Sequence, residues 1–116
     1  PDGRYLVALN LEGLSRKLLL YDFQTGKWLE WVTDSDGVGY PAWSPDSRYV
    51  DYWSVGKIKR IKVGEPRATD LLSLKGLQIY FTPEFGPWND NAADGSRMLL
   101  RDVSTEDIYA LDLEFP

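Results

Sequence analysis

Apolar residues in this chain gather in runs of four to seven, broken by clusters of Gly, Pro, Asp and Ser. The runs are Tyr5–Leu9, Leu18–Phe23, Lys27–Val32, Tyr49–Trp53, Ile58–Val63, Met98–Arg101 and Ile108–Leu113. Runs this short, rich in β-branched and aromatic residues and bounded by turn formers, predict strands. The one segment with helical spacing is Asp70–Tyr80, where Leu71, Leu72, Leu74 and Leu77 could share a face behind an Asp cap. Gly76 interrupts it, and it runs into Ile79-Tyr80-Phe81-Thr82-Pro83, so it reads as strand and loop. The expected fold class is all-β.

Internal repetition selects among all-β architectures. Three turn-plus-strand units recur: Pro1-Asp2-Gly3-Arg4-Tyr5-Leu6-Val7, Pro45-Asp46-Ser47-Arg48-Tyr49-Val50 and Ala93-Asp94-Gly95-Ser96-Arg97-Met98-Leu99. Their aspartates, Asp2, Asp46 and Asp94, lie 44 and 48 residues apart. A second motif follows each: Leu18-x-x-Tyr21-Asp22-Phe23, Ile58-x-x-Ile61-Lys62-Val63 and Ile108-x-x-Leu111-Asp112-Leu113. A period of about 40–50 residues is that of a four-stranded propeller blade. Leu18-Leu19-Leu20-Tyr21 is apolar at odd and even positions, as a strand pressed between two neighbouring blades requires.

The chain therefore divides into residues 1–38, a blade without its innermost strand, residues 39–76, a complete blade, and residues 77–116, a blade without its outermost strand. A closed propeller needs at least about four blades. About two and a half to three four-stranded antiparallel blades predict either a part of a larger propeller or one that self-associates. The opening Pro1-Asp2-Gly3-Arg4 has neither an initiating Met nor a secretory signal and reads as the interior of a longer protein.

Ser44-Pro45-Asp46-Ser47-Arg48-Tyr49-Val50, with Trp43 before it, resembles the repeat of TolB-like (WD40-like) β-propellers. The segment from Asp94-Gly95-Ser96 through Leu99-Leu100-Arg101-Asp102-Val103 to Asp107-Ile108-Tyr109-Ala110-Leu111-Asp112 is similar to the last repeat of a bacterial subgroup. That subgroup often joins its propeller to a winged-helix DNA-binding domain. The resemblance implies C-terminal blades that bind a protein or small ligand on a ring face. Two departures stand out: Ser47 replaces the usual Gly, and Asn89-Asp90-Asn91-Ala92-Ala93 stands where Ser-Pro is usual.

Composition narrows the chemistry. The 116 residues include no His and no Cys, which removes imidazole bases, thiol nucleophiles, disulfides and zinc ribbons. A net charge of −5 argues against nucleic acid as a partner of this segment. No apolar run approaches the roughly 20 residues of a membrane-spanning helix, so no direct insertion is expected. The compartment, periplasmic or cytoplasmic in a bacterium, stays open.

Candidate sites are few. Asp34-Ser35-Asp36-Gly37 opens like a calcium loop, but the twelfth position is Pro45. Asp90-x-Ala92-x-Asp94-Gly95 fails likewise, with Arg101 at that place. Gly56-Lys57 is a hairpin turn and not a phosphate loop, and Ser15 lacks the surroundings of a nucleophile elbow. Ser44–Val50 lacks the Gly, Thr and Trp of the sialidase-type propeller box. No catalytic residue, metal ligand or cofactor is expected. Charge offers more, since Lys57, Lys59, Arg60, Lys62 and Arg67 lie in an eleven-residue window with one acid, Glu65. That window is either a solvated strand edge or a stripe that docks an acidic surface. Among Tyr40, Trp43, Tyr52, Trp53 and Trp88, those reaching a ring face would anchor a partner, with Trp53 and Trp88 the candidates.

The expected function is a non-catalytic interaction or sensing module that binds a protein or small ligand, with a protein partner and with self-association that completes a propeller. Two alternatives stand beside it: the propeller of a larger peptidase-type hydrolase, gating substrate access, and the sensor arm of a membrane-linked transcription regulator.

Overall fold

The computed structural model describes residues 1–11, 16–82, 86–103 and 105. Every regular element among them is a β-strand. Sheet I comprises β1 (Tyr5–Asn10), β2 (Lys17–Asp22) and β3 (Lys27–Thr33). Sheet II is a four-stranded meander of β4 (Gly39–Trp43), β5 (Tyr49–Ser54), β6 (Lys57–Lys62) and β7 (Thr69–Ser73). A short hairpin follows, β8 (Phe81–Thr82) with β9 (Gly86–Pro87), and then sheet III, β10 (Asn89–Asn91) with β11 (Arg97–Leu99). All pairings are antiparallel. The fold is all-β, in sequential blade-like sheets, and no ring is closed among the described residues.

Asp70–Tyr80 is strand and loop: β7 ends at Ser73, and Ile79 bridges Arg101. In the blade expected over residues 77–116, β9 pairs back to β8 and β10 alone pairs with β11 among the described residues. The strand expected at Ile108–Leu113 lies outside the described residues.

The repeated turn is one physical device used three times. Asp2, Asp46 and Asp94 each accept, through Oδ1, the amide two residues on: from Arg4 at 3.0 Å, Arg48 at 3.1 Å and Ser96 at 2.8 Å. This is the Asx turn that the Asp-Gly/Ser spacing predicts. Gly3 (φ 78°), Ser47 (φ 60°) and Gly95 (φ 86°) hold the left-handed position after the aspartate. Ser47 tolerates a conformation that favours glycine, and its Oγ accepts the Asp2 amide at 2.9 Å, tying the first turn to the second. Tyr40 is also left-handed (φ 48°), where the β4–β5 register shifts between Gly39 and Ala42.

Turn length then decides which way side chains face. Before β5, the Ser44 amide donates to the Tyr49 carbonyl across Pro45–Arg48; before β11, the Ala92 amide donates to the Ser96 carbonyl across Ala93–Gly95. The second loop is one residue shorter, and a one-residue change flips every side chain of the strand. Arg97 therefore sits opposite Asn91 as Val50 sits opposite Trp43. Aligning the motifs residue for residue places Arg97 with Tyr49, and the structure corrects that match by one position.

The core lies between sheets I and II. Leu18 and Val32 from sheet I pack with Val50, Tyr52 and Ile61 from sheet II and with Val38 of the connection, bordered by Val7, Leu9, Trp31, Trp43 and Ala68. Burying each large aliphatic or aromatic side chain contributes about 1.5–3 kcal/mol, which makes this layer the main hydrophobic term.

Candidate functional site

Strand alternation divides the basic stripe. In β6 the partners of β5 run Tyr49–Lys62, Val50–Ile61, Asp51–Arg60, Tyr52–Lys59 and Ser54–Lys57. Lys57 and Lys59 thus share the face of Ile61 toward sheet I, while Arg60 and Lys62 share the face of Asp51 toward sheet III. Sequence proximity had suggested a single patch, and the pleat splits it in two.

Most of these cations are already engaged. Lys59 Nζ donates to Asp34 Oδ2 at 2.7 Å, and the Tyr52 hydroxyl donates to the same oxygen at 3.1 Å. Burial alone would raise the Asp34 pKa, but hydrogen bonds from Lys59, the Asp36 amide and Tyr52 outweigh it and hold the carboxyl below the usual range. The same contact raises the Lys59 pKa, and burial followed by the Asp34 bond pushes the Tyr52 hydroxyl up. Lys57 pairs with Asp70 at 3.0 Å at an exposed site.

Arg60 belongs to a larger cluster. Its Nε and Nη2 grip Asp51 at 2.7 and 2.9 Å, and the Asp51 side chain is fully buried. Asn91 Nδ2 donates to Asp51 Oδ2 at 3.0 Å and to the Trp43 carbonyl at 3.1 Å. Arg97 Nη1 reaches Asn91 Oδ1 at 2.8 Å and Asp51 Oδ2 at 3.4 Å. Desolvation lowers the Arg97 pKa, and its Nε and Nη2 are buried without a hydrogen-bond partner among the described residues. The cluster joins sheet II to sheet III and is a structural fastening. Asp51, Asn91 and Arg97 carry it, and sequence reasoning missed all three. One available signal was a lone carboxylate inside the apolar run Tyr49-Val50-Asp51-Tyr52-Trp53.

An open basic cleft remains at the turn end of sheet II. It has a volume of 330 Å³ and is lined by Tyr49, Arg60, Lys62, Glu65, Arg67 and Thr69, with Arg48 in the groove adjoining it. The Arg60 guanidinium lies 5.2 Å from the Tyr49 ring centre, a cation–π contact that fixes the wall. Lys62 is half-exposed and only loosely paired with Glu65, at 3.7 Å. Arg48 and Arg67 are exposed and enter no ion pair among the described residues. On a chain of net charge −5 this is a local reversal of sign.

Trp53 lies at the opposite end of β5. With Val38 and Val55 it floors a second cleft, rimmed by Asp34, Asp36 and Arg16. Trp88 is exposed between β9 and β10 and lines neither cleft, so the two tryptophans form no shared anchor here. Both aspartate-rich loops turn carboxylate oxygens onto backbone amides: Asp34 to Asp36, Asp90 to Asn91 and Asp94 to Ser96. Among the described residues no group of three or more acidic side chains converges as a cation site, and no helix is long and apolar enough to cross a membrane.

No protein-family model and no curated protein matches this chain.

Proposed function

We propose that this chain is a non-catalytic protein-interaction module of β-propeller type, which binds an acidic segment of a protein partner on the turn face of sheet II. The observation that carries this reading is the cleft around Tyr49, where Arg48, Lys62 and Arg67 are exposed and Glu65 is the acid among the described lining residues, with Asp46 and Asp94 in a separate groove beyond Tyr49 and Arg60. Tyr49 supplies an aromatic surface beside those charges, the combination typical of binding hot spots. The resemblance to TolB-like repeats supports a ring-face binder of proteins or small ligands. No observation on the described residues favours the hydrolase-gating or regulator-arm readings over this one.

The test is titration of a fluorescein-labelled Asp/Glu-rich peptide into the chain, followed by anisotropy. Saturable binding that weakens with salt is expected, and Lys62→Glu with Arg67→Glu should weaken it by about tenfold or more. A wild-type chain that does not bind, or a double variant that binds equally well, overturns the reading.

A further inference from the structure

The two ends of the described structure present faces of matching kind. β1 and β5 both follow the same Asx turn, and Tyr5–Asp22 corresponds to Tyr49–Lys62 in the sheet registers. Leu6, Ala8 and Tyr21 of sheet I therefore occupy the places of Val50, Tyr52 and Ile61 in sheet II. The latter three are buried in the core, covered by sheet I. Of their counterparts Leu6 is 47% exposed while Ala8 and Tyr21 are half-buried, and Trp28, which lies opposite Tyr21 with its ring tilted and the ring centres 5.0 Å apart, is 51% exposed.

Sheet III shows the opposite half of the same relation. With its turn one residue shorter, Met98 takes the place of Asp51, and hence of Val7, while Leu100 takes the place of Leu9. Val7 and Leu9 are residues with which sheet I packs against the core shared with sheet II. Met98 and Leu100 are 40% and 46% exposed. One end thus displays the kind of face that is covered within this chain, and the other end displays the kind that does the covering.

We infer that two copies of this chain associate head to tail, Met98 and Leu100 of one seated on Leu6, Ala8 and Tyr21 of the other, twice over. Heterologous contacts of this sort form rings when the rotation closes. Sheets I, II and III, as described, from each of two copies would stack as a six-sheet ring, within the size range of β-propellers. The inference does not depend on the basic cleft, which lies on the turn face of sheet II.

Light scattering coupled to size exclusion, run over a dilution series of the 116-residue chain, tests it. The expected mass is twice 13.3 kDa. Leu6→Glu and Met98→Glu should each weaken the dimer by about tenfold or more, while the far-ultraviolet circular dichroism of a β protein is kept. Trp28→Glu repeats the head-end test at a more exposed position, and Val55→Glu, exposed elsewhere, should leave the mass unchanged. Mixing Leu6→Glu with Met98→Glu should recover dimer, because each mixed pair keeps one intact head-to-tail contact. A monomeric wild type, growth past two chains, or a dimer indifferent to Met98→Glu overturns the inference.

Discussion

Sheet II is held on its two sides by different physics. Toward sheet I it presents Val50, Tyr52 and Ile61 to a dry apolar layer. Toward sheet III it presents Asp51 and Arg60 to Asn91 and Arg97. The first contact is non-directional and scales with area, so it tolerates repacking. The second is directional: with the Asp51 carboxylate fully buried, its partners must all be in place or a charge is stranded. One strand supplies both faces, since β5 alternates Tyr49, Asp51 and Trp53 with Val50, Tyr52 and Ser54.

The sharpest way to break this comparison is Asp51→Ala. It leaves two arginines facing one another without a carboxylate and should cost about 3–5 kcal/mol. The loss should be local: hydrogen exchange should show the Asp90 and Met98 amides, the hydrogen-bonded pair of the β10–β11 ladder, deprotected while β2 and β5 stay protected. Protection lost equally in all sheets would show that the polar fastening and the apolar core unfold as one. The converse replacement, Asp51→Leu with Arg60→Met and Arg97→Met, should be neutral or stabilising if packing is kept.

Ile61→Ala attacks the apolar side. A cavity in that layer should cost about 2–5 kcal/mol and lower the urea midpoint of sheets I and II together. Any early loss confined to sheet III would contradict the assignment of Ile61 to the other face.

Asp34→Asn probes the charged contact that borders the apolar side. Losing charge-assisted bonds from Lys59 and Tyr52 should cost about 1–3 kcal/mol near neutral pH. The Asp34 carboxyl is held below the 3.8 of a free aspartate. Its contribution is therefore complete above that value and disappears as pH falls through the lower, folded one. The difference between wild type and variant in thermal midpoint should shrink along that acid limb. On the alkaline side Lys59 titrates above its ordinary 10.5, so its share persists until pH exceeds that value.

Ser47→Gly should give the smallest effect, below about 0.5 kcal/mol in chemical denaturation. Relief of the left-handed serine is offset by the greater freedom of glycine in the unfolded chain and by the lost bond to the Asp2 amide.

Much of the fold was legible in the residues. The Asp-Gly and Asp-Ser turns at Asp2, Asp46 and Asp94 are local, each closed by a side chain reaching two residues along, so the sequence displays them directly. β1, β2, β3, β5 and β6 follow to within a residue or two from apolar runs and turn formers. Sheet III was harder to read, because Asn89-Asp90-Asn91 has no apolar alternation and β8–β9 draws off the residues before it. The candidate site was read only in part. Lys57, Lys59, Arg60 and Lys62 are adjacent in the chain, yet the pleat sends them to opposite faces and three of them meet carboxylates at close range. Arg48 and Arg67 lie outside the stripe or at its end, and among the described residues they enter no ion pair.

By itself the sequence determined the all-β class, the spacing of its repeats and the exclusion of imidazole and thiol chemistry. Those properties follow from local turn chemistry, apolar periodicity and residue inventory. Only the tertiary structure decided that a turn shorter by one residue points Arg97 at Asp51, and that Met98 and Leu100 face outward as Val7 and Leu9 face in. A side chain's partner depends on which face a strand presents once sheets stack, and that parity is set by register across the turn.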